Sequence, residues 1–180
     1  MNYITEIDFL ILDFLQSFLR CEPLDVFFSF ITHLGDSGLI WIITGILMTV
    51  SKKYRRCGIM MLCGMLFGFL TGNLIMKPVI ARSRPCWIND AVNTIISVPQ
   101  DFSFPSGHTL SSVISCTVIG LHYRRFLIIA LPITVLIAFS RLYLYVHFPT
   151  DVLFGTLYGL IIGIVFYRIS ERYFKKQSER

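Results

Sequence analysis

SKKYRRCGIMMLCGMLFGFLTGNLIMK, residues 51–77, decides the fold class. Lys52, Lys53, Arg55 and Arg56 crowd its start, and from Cys57 to Met76 no charged side chain follows until Lys77. A helix needs about 20 mostly apolar residues to cross the hydrocarbon core of a bilayer. The stretch therefore predicts a spanning helix, its start held in the cytoplasm by KKYRR and Lys77 at its far end.

Working outward, 108–122, 126–145 and 147–169 meet or approach the same length, and 36–51 is shorter but ends at the basic stop. With KKYRR cytoplasmic, 36–51 runs inward, 57–77 outward, 108–122 inward, 126–145 outward and 147–169 inward. Arg124 and Arg125, and the tail Arg168, Arg172, Lys175, Lys176 and Arg180, then fall on the same side as KKYRR. This reads the net charge of +5 as topogenic, so no nucleic-acid partner is expected. The content agrees: 15% of residues are charged and mean hydropathy is +0.68, whereas soluble domains carry about 25% charge. No linker or low-complexity tract divides the chain, which predicts one membrane-embedded domain over 1–180.

Within the N-terminal amphipathic region 1–34, Glu6, Asp8, Asp13, Arg20, Glu22 and Asp25 interrupt the apolar pattern too often for a clean span. Ile4, Ile7, Leu10, Ile11, Phe14, Leu15 and Phe18 recur at helical spacing. They predict an amphipathic helix over 3–19 lying in the interface, with a short helix over 23–34. The alternative is that part of 3–34 supplies one more span. A cleaved signal peptide is not expected, because acidic residues stand where such a signal carries basic ones. Cysteines 21, 57, 63, 86 and 116 have neither C-x-x-C nor metal-ligand spacing, so disulfides and zinc are not expected. Cys57, Cys63 and Cys116 read as small membrane-buried residues. The fold class is all-α: a polytopic bundle of about five or six transmembrane helices plus the N-terminal amphipathic helix.

Gly64, Gly68 and Gly72 in one span, and Gly155, Gly159 and Gly163 in another, are spaced by four and so share a helix face where backbones can approach closely. Packing inside the monomer is favoured over dimerisation, and the oligomeric state stays open. If the two stripes faced each other, Lys77 and His147 would meet at the outer surface.

Lys77, Arg82, Arg84, His108, Arg141, His147 and Asp151 map to the outer ends of spans or to the long outer loop 78–107. Each alone has an ordinary explanation: a snorkelling base, a satisfied imidazole, an i, i+4 polar pair. Together they are too many cations on the wrong side for topogenic charge, and they ask for an anionic partner. Arg84 and Arg141 suit bidentate gripping of anionic oxygens, and Lys77 adds a point charge. The PSGH run offers backbone N–H groups of Gly107 and its neighbours at a helix start. His147 and Asp151, four apart, are expected on one helix face, where the carboxylate would select the ring tautomer. Phosphoryl transfer asks a protein for this kind of charge and positioning. No carboxylate cluster suited to Mg²⁺ or paired metals accompanies the motifs, so neither metal nor cofactor is expected.

KPVIARSRP at 77–85, PSGH at 105–108 and SRLYLYVHFPTD at 140–151 match, in order, the pattern K-x6-R-P, P-S-G-H and S-R-x5-H-x3-D. The chain thereby resembles the type 2 phosphatidic acid phosphatase (PAP2) superfamily, which also includes bacterial nonspecific acid phosphatases and vanadium haloperoxidases. The resemblance runs from Lys77 to Asp151 and implies an acid phosphatase/vanadium haloperoxidase-like core. It implies that His147 and Asp151 form the nucleophilic pair, that His108 protonates the leaving group, and that Lys77, Arg84, Ser106, Gly107 and Arg141 bind the phosphate. Arg82 occupies a position that the pattern leaves open, with headgroup phosphate as a candidate ligand.

The implied function is hydrolysis of a phosphomonoester or pyrophosphate on a lipid headgroup, through a phosphohistidine, at the extracytoplasmic face of the plasma membrane. Undecaprenyl diphosphate, phosphatidylglycerophosphate and phosphatidic acid are candidate substrates among which the sequence does not choose. A lipid phosphotransferase would use the same residues. A catalytically silent lipid-binding or transport protein would be expected to have lost one of them, and none is lost.

Overall fold

The structure, a computed structural model, describes residues 3–178 apart from Asp90, and side chains as far as Arg172. Of the basic tail, Arg180 lies outside the described residues, and Lys175 and Lys176 lie beyond the described side chains. The longer helices are α1 (Tyr3–Leu19), α2 (Glu22–Leu34), α3 (Leu39–Val50) and α4 (Arg55–Gly68). They are followed by the short α5 (Lys77–Ile80) and α6 (Pro85–Ile88), then α7 (Gly107–His122), α8 (Leu127–Tyr143) and α9 (Pro149–Ser178). No strand occurs among the described residues. Residues 69–76 join α4 to α5 as a π-helical stretch, in which each turn takes in one residue more than an α turn.

Three helical segments are long and apolar enough to cross a membrane: Arg55–Ile88, Arg124–Tyr143 and Pro149–Arg172. A fourth arises if Glu22–Leu34 and Asp36–Val50, bent by 42°, form one broken span. The count is lower than the apolar runs alone suggested. Helix α7 has only 16 residues and α3 only 12, both short of the about 20 that a bilayer asks for.

Outward-facing Ile43, Leu47, Val50, Leu66, Phe67, Ile128, Ile129 and Ile161 are exposed on the protein surface. So much contiguous apolar surface suits lipid and not water. Of the stripe residues on α1, Ile4, Ile7, Leu10, Ile11, Phe14 and Phe18 are exposed and Leu15 is half-buried, while Asp8 and Leu12 are its buried residues. The helix therefore turns an acidic residue toward the protein and its apolar face away from it.

The main core joins α3, α4, α7, α8 and α9 through Trp41, Met61, Leu110, Ile114, Ile137 and Ile162. Helix α7 lies at its centre and is dressed in small residues, with Thr109, Ser112 and Ser115 all buried. Trp41 donates its indole N–H to Ser112 Oγ at 2.8 Å, tying α3 to it.

The glycine stripes do pack within the monomer. Both press on α7. A Cβ on Gly68 would lie 2.6 Å from Ile114 Cδ1 and one on Gly72 2.6 Å from Leu110 Cδ2, while one on Gly163 would meet Thr117 Cβ at 2.6 Å. Helices α4 and α9 also touch, Gly64 lying against Phe166 and Gly68 against Ile162, but the tightest approaches of both stripes are to α7.

A second core gathers Leu12 and Phe28, from α1 and α2, around Tyr143, Leu144, Tyr145, Val146 and Phe148. The N-terminal helices thus brace the turn that carries His147. At the opposite end of the bundle, Tyr123 Oη donates to Lys53 O at 2.8 Å and Arg125 Nη2 to Tyr54 Oη at 2.9 Å. Two of the basic groups therefore share one end.

Candidate active site

Where α5 ends, Ala81 adopts the left-handed region at φ 48°, and the chain breaks toward Arg84, which caps α6 in extended conformation. Lys77 and Arg84 are both brought inward and buried. Arg84 spends its guanidinium on backbone and side chain alike: Nη1 donates to Val146 O at 2.7 Å and to His147 Nε2 at 3.1 Å. Its Nε donates to Asp101 O at 2.6 Å and its Nη2 to Asp101 Oδ1 at 2.7 Å.

His147 does not lie on a helix face with Asp151, contrary to the sequence expectation. Its residue sits in the turn between α8 and α9, where Tyr145 has φ 59° and the Val146 and His147 N–H groups donate back to Arg141 O at 3.2 and 3.3 Å. Phe148 and Pro149 intervene before Asp151, which sits in the first turn of α9. There Asp151 Oδ2 accepts the Phe148 N–H at 2.9 Å, a carboxylate reaching back to cap its own helix.

The two residues still meet: His147 Nδ1 lies 3.6 Å from Asp151 Oδ2, longer than a hydrogen bond. Because Nε2 accepts from Arg84, the proton of the neutral ring belongs on Nδ1, facing Asp151. Nε2 is then the nitrogen with a lone pair toward the cations.

Arg141 is 3% exposed, and its Nη1 donates to Thr32 Oγ1 on α2. Its Nε–H is buried with no partner, as is His147 Nδ1. An unpartnered guanidinium N–H in a buried setting is costly and points to an anion that completes it. His108, in the first turn of α7, sets Nε2 3.0 Å from Asp36 Oδ1 in the turn between α2 and α3. Lys77, Arg84, His108, Arg141 and His147, together with Gly107, line one cavity of about 700 Å³. Its other wall is apolar, from Ile42, Leu62, Met65, Leu66 and Phe69 on α3, α4 and the π stretch.

Ser106 and Asp151 do not reach that cavity. Ser106 is fully buried and caps α7, accepting from Thr109 Oγ1 at 3.0 Å, so its service to an anion runs through the helix start that it shapes. Sequence reasoning passed over Asp101, which pairs with both Lys77 and Arg84 through a carboxylate that is 55% exposed. It also passed over Thr32 and Asp36, which touch the two outer members of the site. Their only sequence signal was position, Asp36 beside Gly35 and Thr32 one helical turn before it, at the break between two apolar segments.

Burial raises the Asp101 carboxyl, but Lys77 and Arg84 outweigh it and hold the pKa at about 2. The carboxylate stays ionised and occupies cations that a phosphate would use. What the arrangement can do is neutralise a tetrahedral anion with three cations while a neutral imidazole nitrogen faces it, which is a layout for in-line phosphoryl transfer.

A family model described as the PAP2 superfamily matches residues 57–175. An undecaprenyl-diphosphatase of Sulfolobus acidocaldarius is 29% identical, the match covering 70% of this chain and 61% of that relative's length. Phosphatidylglycerophosphatase B of Bacillus subtilis is 34% identical over 73% of this chain and 68% of its own length. The crystal structure of a transmembrane PAP2 type phosphatidylglycerolphosphate phosphatase from Bacillus subtilis superposes with a TM-score of 0.78 at 28% identity, over 96% of this chain and 88% of that one.

Proposed function

Because the chain belongs to the PAP2 superfamily, as a membrane lipid phosphatase, we propose that it hydrolyses a lipid phosphate through a phosphohistidine formed on His147 Nε2. The observation that carries this reading is the hydrogen bond from Arg84 Nη1 to His147 Nε2 at 3.1 Å inside the cation-lined cavity. It puts the proton of the neutral ring on Nδ1 and keeps Nε2 unprotonated among the cations, and a phosphate that takes over the Arg84 N–H would free the Nε2 lone pair to attack.

Lys77, Arg84, Arg141 and the N–H groups at the start of α7 hold the non-bridging oxygens. Nε2 forms a bond to phosphorus as the bond to the lipid oxygen breaks, and His108 gives that oxygen its proton. Water then attacks the phosphohistidine, His108 takes a proton from it, and inorganic phosphate leaves. Asp151, 3.6 Å from Nδ1, closes on the Nδ1–H and steadies it as the ring gains charge.

The lipid's chain lies along Ile42, Leu62, Met65, Leu66 and Phe69, with its phosphate in the cradle. The substrate class is therefore a lipid mono- or diphosphate, with undecaprenyl diphosphate, phosphatidylglycerophosphate and phosphatidic acid as the members to compare. Clustering of Lys53 and Arg125 at the end away from His147 supports α7 as the return crossing despite its length, with the site at the outer face of the plasma membrane.

Phosphate release from these three purified lipids in detergent, with and without chelator at constant pH and salt, tests the reading. Release of phosphate from at least one lipid, undiminished by chelator, is expected. Release from none of them, or only with added divalent metal, would overturn it.

A further inference from the structure

Asp8 is 1% exposed, the only buried acid on a helix whose other buried residue is Leu12. A buried carboxylate is stable only when paired and hydrogen-bonded. Its partners are not on its own helix. Asp8 Oδ2 pairs with Arg82 Nη2 at 2.7 Å and takes the Thr150 hydroxyl at 2.5 Å, while Oδ1 takes the Thr150 N–H at 3.0 Å.

Arg82 continues the chain of contacts inward. Its Nη1 donates to Thr150 Oγ1 at 2.7 Å and to Asp151 Oδ1 at 2.5 Å, and its guanidinium carbon stands 4.1 Å over the Phe148 ring. Arg82 does not line the cavity. Both its terminal nitrogens are committed to carboxylates, so the headgroup-phosphate role open to it in the sequence does not fit this geometry.

We propose that Arg82 and Asp8 are positioning residues for the nucleophile, acting through Asp151, and that α1 is thereby a working part of the active site. The proposal rests on the reading of His147 as the nucleophile. Asp151 has four groups around its two oxygens: Arg82 on Oδ1, and Ser103 Oγ, Phe148 N and, at 3.6 Å, His147 Nδ1 on Oδ2. Pinning Oδ1 fixes the rotation of the carboxylate and keeps Oδ2 on the imidazole side. The guanidinium of Arg82 also compensates the charge of this fully buried carboxylate. Asp8 holds Arg82 in that place against the pull of an anion in the cradle. Stacking on Phe148 fixes the residue next to His147 as well.

The test compares wild type with Arg82→Met, Arg82→Lys, Asp8→Asn and the Asp8→Asn/Arg82→Met pair in detergent. Rapid-quench single turnovers with labelled lipid phosphate give the rate of phosphoenzyme formation, and burst amplitude gives the competent fraction. Arg82→Met is expected to slow phosphoenzyme formation by about 10- to 100-fold, the scale on which outer hydrogen-bonding partners act at other sites. Asp8→Asn should slow it less, the pair no more than Arg82→Met alone, and Arg82→Lys should recover part of the loss. KM and inhibition by inorganic phosphate should stay within about twofold of wild type, since the cradle is untouched.

A rise in KM with an unchanged rate would make Arg82 a substrate contact and overturn the proposal. So would a smaller competent fraction with an unchanged rate per competent molecule, which would make the pair structural. If Arg82→Met does not fold, Asp8→Asn carries the same comparison. A wild type that forms no phosphoenzyme would overturn the nucleophile reading as well, and that result is seen before any variant is measured.

Discussion

Asp101 holds two of the cations that a phosphate would need, and it does so from a loop with its side chain half open to solvent. An arriving phosphate must displace or share that carboxylate. Asp101→Asn should therefore let inorganic phosphate inhibit more strongly, lowering its inhibition constant by about three- to tenfold, the worth of a charge-assisted contact. A higher constant in the variant would show that Asp101 supports anion binding. The pH behaviour follows from its pKa of about 2. A carboxyl depressed on folding contributes its tie above its ordinary value of about 3.9 and loses it only as pH falls toward the folded value. The ratio of variant to wild-type inhibition constants should accordingly be the same at about pH 5.5 and about pH 8.

The two histidines differ in a way that kinetics can read. On the proposed mechanism His108 protonates the leaving oxygen in the first step, the step that depends on the leaving group, so phosphoenzyme formation by His108→Ala should slow at least about tenfold less with p-nitrophenyl phosphate than with a lipid monoester. Equal losses on both would remove that role.

Between elements, the molecule is built on close approach to α7. Gly163→Ala places a Cβ 2.6 Å from Thr117 Cβ. Both atoms sit on helix backbones that cannot yield cheaply, so the variant should lose about 1 to 3 kcal/mol of stability. Thermal unfolding in detergent would report it, and an unchanged midpoint would mean that α7 and α9 can slide apart.

The same contacts explain what was legible. Spacing of four in the glycines announced a packing face, but spacing is a property of one helix and carries no record of the partner. It could not say that both stripes would press hardest on α7. The extent of α1 was readable because Ile4, Ile7, Leu10, Ile11, Phe14 and Phe18 mark a helical period. That Asp8 turned inward was not, since an acid on an apolar helix reads first as an interruption. Lys77, Arg84, His108, Arg141 and His147 were legible as a set because they bear charge where charge is costly. Asp36, Asp101 and Thr32 were not, because polar residues in loops and turns are ordinary.

Across the whole molecule, the basic groups at one end and the cradle at the other amount to a statement about sidedness. Residues 78–107 and 141–147 should be extracytoplasmic, with 52–56 and 122–125 cytoplasmic. Single cysteines introduced at 53 and at 98, in a background without the native five, would decide it with a membrane-impermeant reagent on intact cells. Labelling at 98 alone is expected, and labelling at 53 would reverse the topology. Under the proposed function such an arrangement would keep the phosphate at the depth of lipid headgroups while the apolar wall of the same cavity took the chain. All of this depends on one atom, His147 Nε2, being the group that takes the phosphoryl. The direct measurement is rapid acid-free quenching of enzyme mixed with labelled lipid phosphate. Wild type should retain acid-labile label, and His147→Ala should retain none. Label of equal amount on His147→Ala would contradict the account.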